Sequence, residues 1–418
     1  MKTELSSELV FPAVSVPRRV RRTLLITLGA GLVAFIIGIF GDEHQRAWQI
    51  YFVNFLFWSG IAQGGVVMAA VYRITNAKWG DPFRRIGEAM VAFLPVSLLL
   101  FAVLIVWGNG LFPWVSAAFE GREIWLSPLF VFLRDGLALL VLLWVSFRFV
   151  YWSVRPEAGI IPVSGGPSFA RSVLRWLTKG WTDTAIESDR SSRRLARLTP
   201  VLLLLFAVLY SLLGFDLVMS MDPHWVSTIF GWMFFLHAFY AALVAITILA
   251  VISRSWLNTT EAFATHQWHD MGRFVFGFCL LSGGFFWSQY LVIWYGNLPE
   301  ETSFLIRRFY SDPWEPLMWV YIIGAYLFPL AVFLSKRVKE IPLALLCISS
   351  VILVSLYLER FIAVVPFVWK VDTIPFGLLE LLVTAGFAAL FLLSWLTFVR
   401  VLPVNLVVER TARFTQAH

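Results

Sequence analysis

Apolar runs of about 20 residues recur along this chain of 418 residues, each long enough to cross a bilayer as a helix. Hydrophobic residues make up 59% of the sequence and charged residues only 14%, which excludes a soluble domain. A membrane-spanning barrel would instead show short segments that alternate between polar and apolar residues. The sequence therefore predicts an all-α polytopic membrane protein with ten transmembrane helices. The predicted spans 1 to 10 cover residues 23–41, 48–72, 88–107, 127–150, 198–219, 225–252, 271–294, 314–335, 341–358 and 376–400.

The placement of positive charge predicts the orientation of these spans. An even number of spans puts both termini on one side of the membrane. If that side is the cytoplasm, 26 of the 33 Lys and Arg residues lie in cytoplasmic segments, six lie outside, and Arg134 lies within a span. Positive charge concentrates on the cytoplasmic side of membrane proteins, so the sequence predicts cytoplasmic termini and explains the net charge of +7 without a nucleic-acid partner. The arginines before span 1 precede no cleavage pattern, so we expect that span to be retained.

A weak internal repeat relates the two halves of the chain. Leu104–Asn109 at the end of span 3 resembles Leu291–Asn297 at the end of span 7, and Thr199-Pro200 before span 5 resembles Ile341-Pro342 before span 9. Their common order predicts two four-helix bundles in parallel pseudo-repeat, with spans 1 and 10 peripheral. The predicted segments are an N-terminal cytoplasmic stretch 1–22, a first span 23–47, a first unit 48–219 with the cytoplasmic loop 152–197, a second unit 220–360, and a last span with a cytoplasmic tail 361–418.

Small residues recur at four-residue spacing in two of the spans. They are Gly60 and Gly64 in span 2, and Gly284 and Ser288 in span 7. Such positions let helix backbones approach closely within a membrane. We therefore expect both faces to pack against neighbouring helices of their own unit.

The cytoplasmic loop after span 4 contains an amphipathic segment. Arg171, Arg175 and Lys179 recur every four residues, with apolar residues on the opposite side. A helix of this kind suits the anionic inner surface of a membrane. An ordinary loop helix packed on the bundle would have the same pattern.

Charged side chains occur inside the first unit. Arg134 and Asp135 lie within span 4, and Asp216 lies near the outer end of span 5. Charges at such depth are costly and mark a functional interior by default. These three side chains could form an outward-facing proton exit or quinone pocket, or a structural ion pair that locks two helices. The repeat places two isoleucines where Arg134 and Asp135 would fall in the second unit, and places Glu359 near the position of Asp216.

A second group of polar residues lies in the turn between spans 5 and 6 and in span 6 itself. Asp222 followed by Pro223 is favourable helix-start chemistry, so the sequence predicts that span 6 begins there. His237 would then lie roughly 20 Å below that start, deep in the membrane. It belongs either to a proton path or to a neutral hydrogen bond between helices. Asp222 and His224 could lie above the pocket of the first unit.

Titratable residues at the predicted cytoplasmic ends suggest a proton access route on that side. Glu88, His269 and Asp270 lie at the starts of spans 3 and 7, where acids also complement the helix dipole. They could line a water-filled route towards His237. The alternative is that they are solvated helix ends.

The sequence offers no ligands for a redox cofactor. Its two cysteines, Cys279 and Cys347, both lie in apolar runs, and no Cys-x-x-Cys-His motif for covalent haem is present. Among the six histidines only His237 lies well inside a span. We therefore expect no covalently bound cofactor and no metal site on this chain.

Two long motifs resemble a known family. One is Met-Ser-Met-Asp-Pro-His-Trp-x-Ser-Thr-Ile-Phe-Gly at residues 219–231, and the other is Phe-Trp-Ser-Gln-Tyr-x-x-Ile-Trp-Tyr-Gly-Asn-x-Pro-Glu-Glu-Thr at residues 286–302. With the ten-span layout, they resemble the NrfD-like membrane subunits related to polysulfide reductase, and in particular the ActF branch found in bacterial alternative complex III.

The resemblance implies a subunit of a quinol:cytochrome c oxidoreductase, or of one with another electron acceptor, in the respiratory chain of the bacterial inner membrane. It implies as partners a paralogous NrfD-like subunit (ActC-like), an iron–sulfur and molybdopterin-type subunit (ActB-like) and c-type cytochromes, besides membrane lipids. Fe–S clusters and haem c would then sit on those partners, with quinone or menaquinone as the ligand in the membrane. Two other hypotheses stay open: the chain binds quinol itself, or it is a stand-alone secondary transporter, a class that also favours repeats.

Overall fold

The computed structural model describes residues 17–116, 119, 121–161, 168–222, 225–256, 263–369 and 373–402. In this part of the chain the regular structure is helical, and ten helices are long and apolar enough to cross a membrane. The fold is therefore that of an all-α polytopic membrane protein, as the sequence predicts. In order, spans 1 to 10 are Arg18–Phe40, His44–Ile74, Lys78–Trp107, Pro128–Ala158, Thr184–Met221, Thr228–Ser253, Thr265–Gly296, Trp314–Phe333, Pro342–Val368 and Leu378–Val401. Shorter helices are Pro113–Ser116, Ser168–Leu177, Pro299–Phe309 and Lys336–Glu340.

Several spans continue beyond the apolar runs that predict them. Span 3 begins at Lys78, and span 5 begins at Thr184, where Asp183 caps the helix by accepting a hydrogen bond from the backbone N–H of Ala185. Pro200 consequently lies inside span 5, so the prediction that Thr199-Pro200 opens this span was wrong. The physical reason is that an apolar run marks only the length in hydrocarbon, whereas a helix can continue into the polar interface.

Spans 2 and 6 form the centre of the molecule. The most apolar window of span 2 is 89% buried and that of span 6 is 78% buried, against 11% for span 1. Spans 2, 3, 4 and 5 contact one another in sequence, and span 5 returns to span 2; spans 6, 7, 8 and 9 make the same closed ring. Spans 2 and 6 pack against each other, which joins the two rings, while span 1 packs mainly on span 10.

Two glycines of span 2 allow this central contact. A Cβ added to Gly60 would lie 3.1 Å from the Cβ of Ala238, and one added to Gly64 would lie 2.8 Å from the Cβ of Ala242. Both contacts advance in the same direction, so spans 2 and 6 run parallel where they cross. The expected packing role therefore holds for Gly60 and Gly64, although their partner helix belongs to the other unit. Gly284 of span 7, in contrast, has open space beside its Cα in the described part of the chain.

Span 8 contains a π-helical turn at Ile323–Leu327. Such turns shift the backbone hydrogen-bond ladder and often occur at functional sites. Here the carbonyl oxygen of Ala325 accepts a bond from Tyr240 Oη at 3.3 Å and one from Cys279 Sγ at 3.6 Å. These side chains from spans 6 and 7 hold the turn in place, with the side chain of Tyr326 buried.

The amphipathic loop segment forms the helix Ser168–Leu177. It packs against spans 4 and 10, with Ala170, Leu174 and Leu177 buried and with Arg171 and Arg175 exposed. The loop helix thus lies on the bundle and presents its basic side outward.

Candidate functional site

An arginine–carboxylate pair joins spans 4 and 5 inside the first unit. Arg134 approaches Asp216 through Nη2 at 2.7 Å and donates through Nε at 2.9 Å, while Trp125 Nε1 donates to the other carboxylate oxygen at 3.1 Å. The guanidinium carbon of Arg134 also lies 3.9 Å from the centre of the Trp125 ring. Asp216 is fully buried, so the two contacts of Arg134 with Oδ2 and the Trp125 bond to Oδ1 replace its lost hydration.

Asp135 occupies an unusual position beside this pair. Its side chain is fully buried, neither carboxyl oxygen has a hydrogen-bond donor, and its interacting neighbour is the carboxyl group of Asp216. Arg134 therefore bonds to Asp216 across the helix interface, and the carboxyl oxygens of Asp135 are left without a hydrogen-bond partner in the described part of the chain.

The second unit has a buried network around His237. Its Nε2 atom lies 3.1 Å from Tyr326 Oη, and its Nδ1 atom lies 3.5 Å from Glu359 Oε1. The Tyr326 hydroxyl is also 2.5 Å from that of Tyr321. His237 is 2% exposed, so spans 6, 8 and 9 enclose an imidazole between a phenol and a carboxylate.

Arg360 balances the charge of this network. Its Nε lies 3.4 Å from Glu359 Oε2, and its Nη2 donates to the carbonyl oxygen of Phe234 at 2.9 Å. The guanidinium carbon also lies 4.0 Å from the centre of the Phe234 ring. Arg360 therefore places a cation beside Oε2 of Glu359 and leaves Oε1, the oxygen that faces His237, unblocked.

A small cavity adjoins Glu359. It has a volume of about 60 Å³, and Tyr321, Gln289 and Arg308 contribute to its lining together with Glu359. A single water needs about 10–15 Å³ of such space, so the cavity is large enough for water. Polar groups on its walls could hold such waters, which would extend the His237 network towards the ends of spans 7 and 9.

Arg308 closes this cavity from the loop helix Pro299–Phe309. It donates through Nε to the carbonyl oxygen of Ile362 at 3.2 Å, the group that Pro366 leaves without a backbone donor in span 9. Its Nη2 donates to the carbonyl oxygen of Ala363 at 3.3 Å. Burial, and then repulsion from Arg307, lower the pKa of Arg308, whereas the nearby carboxylates raise it. Arg308 thus holds the helix Pro299–Phe309 against the end of span 9 that contains Pro366.

The start of span 6 differs from the prediction. The helix begins at Thr228 with Ser227 before it, so the expectation that Asp222-Pro223 starts the helix was wrong. Asp222 is buried and interacts electrostatically with Arg308 instead. His237 consequently lies roughly 14 Å along the helix instead of roughly 20 Å. His224 lies outside the described residues.

The candidate residues fall into two clusters instead of one path. Arg134, Asp135 and Asp216 meet in the first unit, whereas His237 meets Glu359 in the second. The sequence analysis names Glu359 but misses Arg360, because the predicted span 9 ends at residue 358 and the helix continues to Val368. Tyr321 and Tyr326 carry no sequence signal, since only the π-turn and the rotation of span 8 direct them inward.

The residues predicted for a cytoplasmic access route lie in two different environments. Glu88 is fully buried within span 3, where it pairs with Arg85 at 2.8 Å and accepts a hydrogen bond from Ser153. The reading of Glu88 as a helix-start residue was therefore wrong. His269 and Asp270 are partly exposed near the start of span 7, and their side chains lie 3.8 Å apart. These two residues are at a solvated helix end.

Glu157 of span 4 completes the cluster around Glu88, and the sequence reasoning missed it. Arg85 bonds to Glu157 as well as to Glu88, and Arg84 lies 3.8 Å from Glu157. Burial of two carboxylates is tolerated here because two arginines share them. This arrangement links spans 3 and 4 through ionic contacts.

A larger pocket opens between spans 7 and 8. It has a volume of about 550 Å³, and its walls include Phe286, Trp287, Trp319 and Tyr326. Tyr326 also belongs to the His237 network, so one residue touches both the pocket and the buried imidazole. The lining also includes Tyr290, Tyr310 and Glu315, and mostly apolar walls with a few polar groups are typical of ligand pockets.

No family model matches the chain, and no curated protein matches it. Among the residues that the structure describes, no three His, Cys, Asp or Glu side chains are grouped to hold a metal ion.

Proposed function

We propose that this chain is a membrane subunit, without redox centres of its own, of a bacterial quinol:cytochrome c oxidoreductase or one with another electron acceptor. It would correspond to the ActF subunit of alternative complex III in the inner membrane. Support comes from the two motifs at residues 219–231 and 286–302 and from the ten-span all-α fold. In this assignment, an ActB-like iron–sulfur subunit and c-type cytochromes carry out electron transfer, and an ActC-like paralogue lies beside this chain in the membrane.

The His237 network carries the second part of the proposal, which is proton conduction. A phenol hydrogen-bonds to His237 Nε2, a carboxylate lies 3.5 Å from His237 Nδ1, and that carboxylate lines a cavity large enough for water. Imidazole can take up a proton on one nitrogen and release one from the other. A proton could therefore pass from Tyr326 through His237 to Glu359 and then to water in the cavity.

The first-unit cluster would act as a separate proton-holding site. Asp135 and Asp216 can share one proton, while Arg134 keeps the net charge of the three groups near zero. A proton stored there could be exchanged when a redox partner changes the local field. This arrangement favours an active role over a simple ion pair, because an ion pair requires only one of the two acids.

Exposed aromatic residues at the end of span 7 support a docking role. Trp294, Tyr295 and Tyr310 are each more than half exposed, and the partly exposed loop helix Pro299–Phe309 lies beside them. Aromatic side chains are enriched in protein interfaces and at membrane interfaces. This surface would anchor the redox subunits on the outer face.

Replacement of His237 or Glu359 tests the proton path. We expect His237→Gln and Glu359→Gln to lower the number of protons released per quinol oxidised, because proton transfer slowed by about 100-fold would no longer keep pace with quinol oxidation. The measurement is the number of protons released per quinol oxidised in vesicles that contain the whole complex. Asp189→Asn is the matched control, because Asp189 forms an exposed ion pair with Arg193.

Two outcomes would contradict the proposal at different levels. An unchanged proton yield in both His237→Gln and Glu359→Gln would reject the path through the second unit. Purification of the native chain without c-type haem and without an iron–sulfur protein would reject its membership of such a complex, and activity of the isolated chain would favour a secondary transporter.

The pocket between spans 7 and 8 supports a second candidate function, quinol binding by this chain. Its volume of about 550 Å³ suits a ring with part of its tail, and Tyr326 offers a proton acceptor linked to His237. The first unit, where the sequence suggested a quinone pocket, instead has its arginine engaged by Asp216. The structure-based candidate for the quinol is therefore the second unit.

Gly284 provides a specific test of quinol binding. It lines the pocket and has open space beside its Cα, so Gly284→Phe should fill the pocket without strain in the helix. We expect labelling of this chain by a photoreactive quinone to fall by about tenfold, the loss for about 1.4 kcal/mol of binding. Gly277→Phe is the control, because Gly277 is equally open on the same helix but is not part of the pocket lining. Equal labelling of both variants would reject the site.

A further inference from the structure

A cleft lies between spans 2, 3 and 5, at the ends of these helices that the charge distribution assigns to the cytoplasm. Its walls come from the turn that joins spans 2 and 3 and from the part of span 5 around Pro200. Its volume is about 540 Å³, within the range of ligand pockets in general. Three cations line it, Arg73, Lys78 and Arg84, against one acid, Asp81, so we call it the basic cleft.

Arg84 offers hydrogen-bond donors to this cleft without matching acceptors. Its Nε atom is buried and has no hydrogen-bond partner among the described residues. Its contacts from Nε to Asp81 Oδ1 and from Nη2 to Glu157 Oε1 are both 3.8 Å long, which is too long for a hydrogen bond. A buried donor without an acceptor is costly, so an oxygen atom of a bound ligand would stabilise this arginine.

Arg73 and Lys78 add positive charge that the protein leaves unbalanced. Within the parts of the chain that the structure describes, neither side chain has a carboxylate at ion-pair distance. Arg84 repels Arg73 more strongly than Glu88 attracts it, and both arginines are partly buried. Like charges that share a partly buried site destabilise each other unless an anion lies between them. The charge of the lining therefore calls for an anionic ligand.

The basic cleft also borders the hydrocarbon. Apolar residues complete its wall, among them Ile74 and Pro200, which are both exposed. Ile74 ends span 2, and Pro200 lies near the start of the apolar run of span 5. Basic pockets at this level can be reached both by anionic headgroups and by anions dissolved in water.

We propose that the basic cleft binds a phosphate group, carried either by an anionic phospholipid or by a soluble phosphate-bearing anion. The planar guanidinium groups of Arg73 and Arg84 suit phosphate oxygens, and Lys78 adds a compact positive charge. A bound phosphate removes the repulsion between the two arginines and supplies the acceptor that Arg84 Nε lacks. It also joins the turn between spans 2 and 3 to span 5. This site is separate from the His237 network and from the pocket between spans 7 and 8.

Two binding measurements on the full-length protein distinguish the two sources of phosphate. Equilibrium dialysis with radiolabelled inorganic phosphate, in neutral detergent and at constant ionic strength, measures the soluble anion. Native mass spectrometry, after release from nanodiscs of phosphatidylethanolamine with a minority of phosphatidylglycerol of the same chain length, measures the lipid. Saturable phosphate binding supports the soluble source, and preferential retention of phosphatidylglycerol supports the lipid source. Absence of both would overturn the proposal.

Single charge removals test whether the lining cations hold the phosphate group. Arg73→Gln and Lys78→Gln should each lower phosphate binding or phosphatidylglycerol retention by about fivefold. Arg337→Gln and Lys336→Gln are the matched controls, because they remove the same charges from exposed positions on the helix Lys336–Glu340, outside the cleft lining. Equal losses in the controls and in the cleft variants would show a general charge effect and would contradict a site in the cleft.

A cleft-filling variant tests the position of the site without a change of charge. Ala196 is exposed on span 5 and lines the cleft, so Ala196→Phe occupies the cleft and should lower the same binding by about tenfold. Leu204→Phe is the control, because Leu204 is 66% exposed on the same helix and does not line the cleft. Unchanged binding in Arg73→Gln, Lys78→Gln and Ala196→Phe would overturn the assignment.

Discussion

At the scale of single residues, the structure decides which charges meet. Arg134 and Asp135 are neighbours in sequence, yet the arginine bonds to Asp216 on the next span. Successive residues on a helix point about 100° apart, so adjacent charges rarely pair with each other. The consequence is a buried acid, Asp135, whose two oxygens have no hydrogen-bond partner in the described part of the chain.

This arrangement predicts opposite effects for two substitutions. Arg134→Gln leaves the Asp216 carboxylate buried without its cation and should lower stability by about 3 kcal/mol. Asp135→Asn supplies an amide N–H to Asp216 without a shared proton, and should leave stability unchanged or slightly higher. The melting temperature of the detergent-solubilised protein measures both effects.

An exposed pair supplies the control for these substitutions. Arg193→Gln removes an ion pair whose two side chains are more than half exposed, which typically changes stability by less than about 1 kcal/mol. A strong loss of stability in Asp135→Asn would show that Asp135 is ionised and bonded in the folded protein, contrary to the shared-proton arrangement.

At the scale of helices, close packing and interruptions position the sites. The crossing of spans 2 and 6 depends on Gly60 and Gly64, and it brings His237 into the core on span 6. The π-turn of span 8 and Pro366 of span 9 each free backbone carbonyl groups, which side chains from neighbouring helices then bond. The effect of each of these glycines and of this proline therefore depends on which helix packs beside it.

A pair of glycine substitutions tests the central crossing. Gly64→Ala places a Cβ 2.8 Å from that of Ala242 and 3.0 Å from the carbonyl oxygen of Ala238, so it should cost about 1–3 kcal/mol through overpacking. Gly284→Ala meets open space and should gain up to about 1 kcal/mol from better helix propensity. Melting temperatures that are equal in the two variants would contradict the close parallel crossing.

At the scale of the whole molecule, two closed rings of four helices meet through their first helices, and each encloses its own polar cluster. Each cluster includes a carboxylate from the last helix of its ring, Asp216 on span 5 and Glu359 on span 9. The partners differ: arginine and a second acid in the first unit, histidine and tyrosine in the second. One architecture thereby holds two different buried clusters of titratable side chains.

Chemical labelling tests the orientation of the molecule in the membrane. In a Cys347→Ser background, Glu300→Cys should react with a membrane-impermeant maleimide in intact cells, because positive charge places residue 300 outside. Arg193→Cys, in the loop region after span 4, should react only after the membrane is opened. Cys279 is buried and should remain unlabelled in both variants. Reaction in the reverse order would contradict cytoplasmic termini.

The sequence by itself determined the fold class, the number of spans and the charge difference between the two sides. These properties depend on the length of apolar runs and on composition, which act locally and are readable without knowledge of neighbours. The buried ionisable residues could also be found in this way, because any charge within an apolar run is conspicuous.

Only the tertiary structure decided how these residues combine. The bonds of Arg134 to Asp216 and of Tyr326 to His237 join residues 82 and 89 positions apart, on different helices. Such contacts depend on which helices are neighbours and on how each is rotated about its axis. Because a transmembrane helix is hydrophobic on all sides, its sequence pattern leaves that rotation unspecified. The packing at Gly64, the π-turn of span 8 and the contacts of Arg308 determine how these helices are placed.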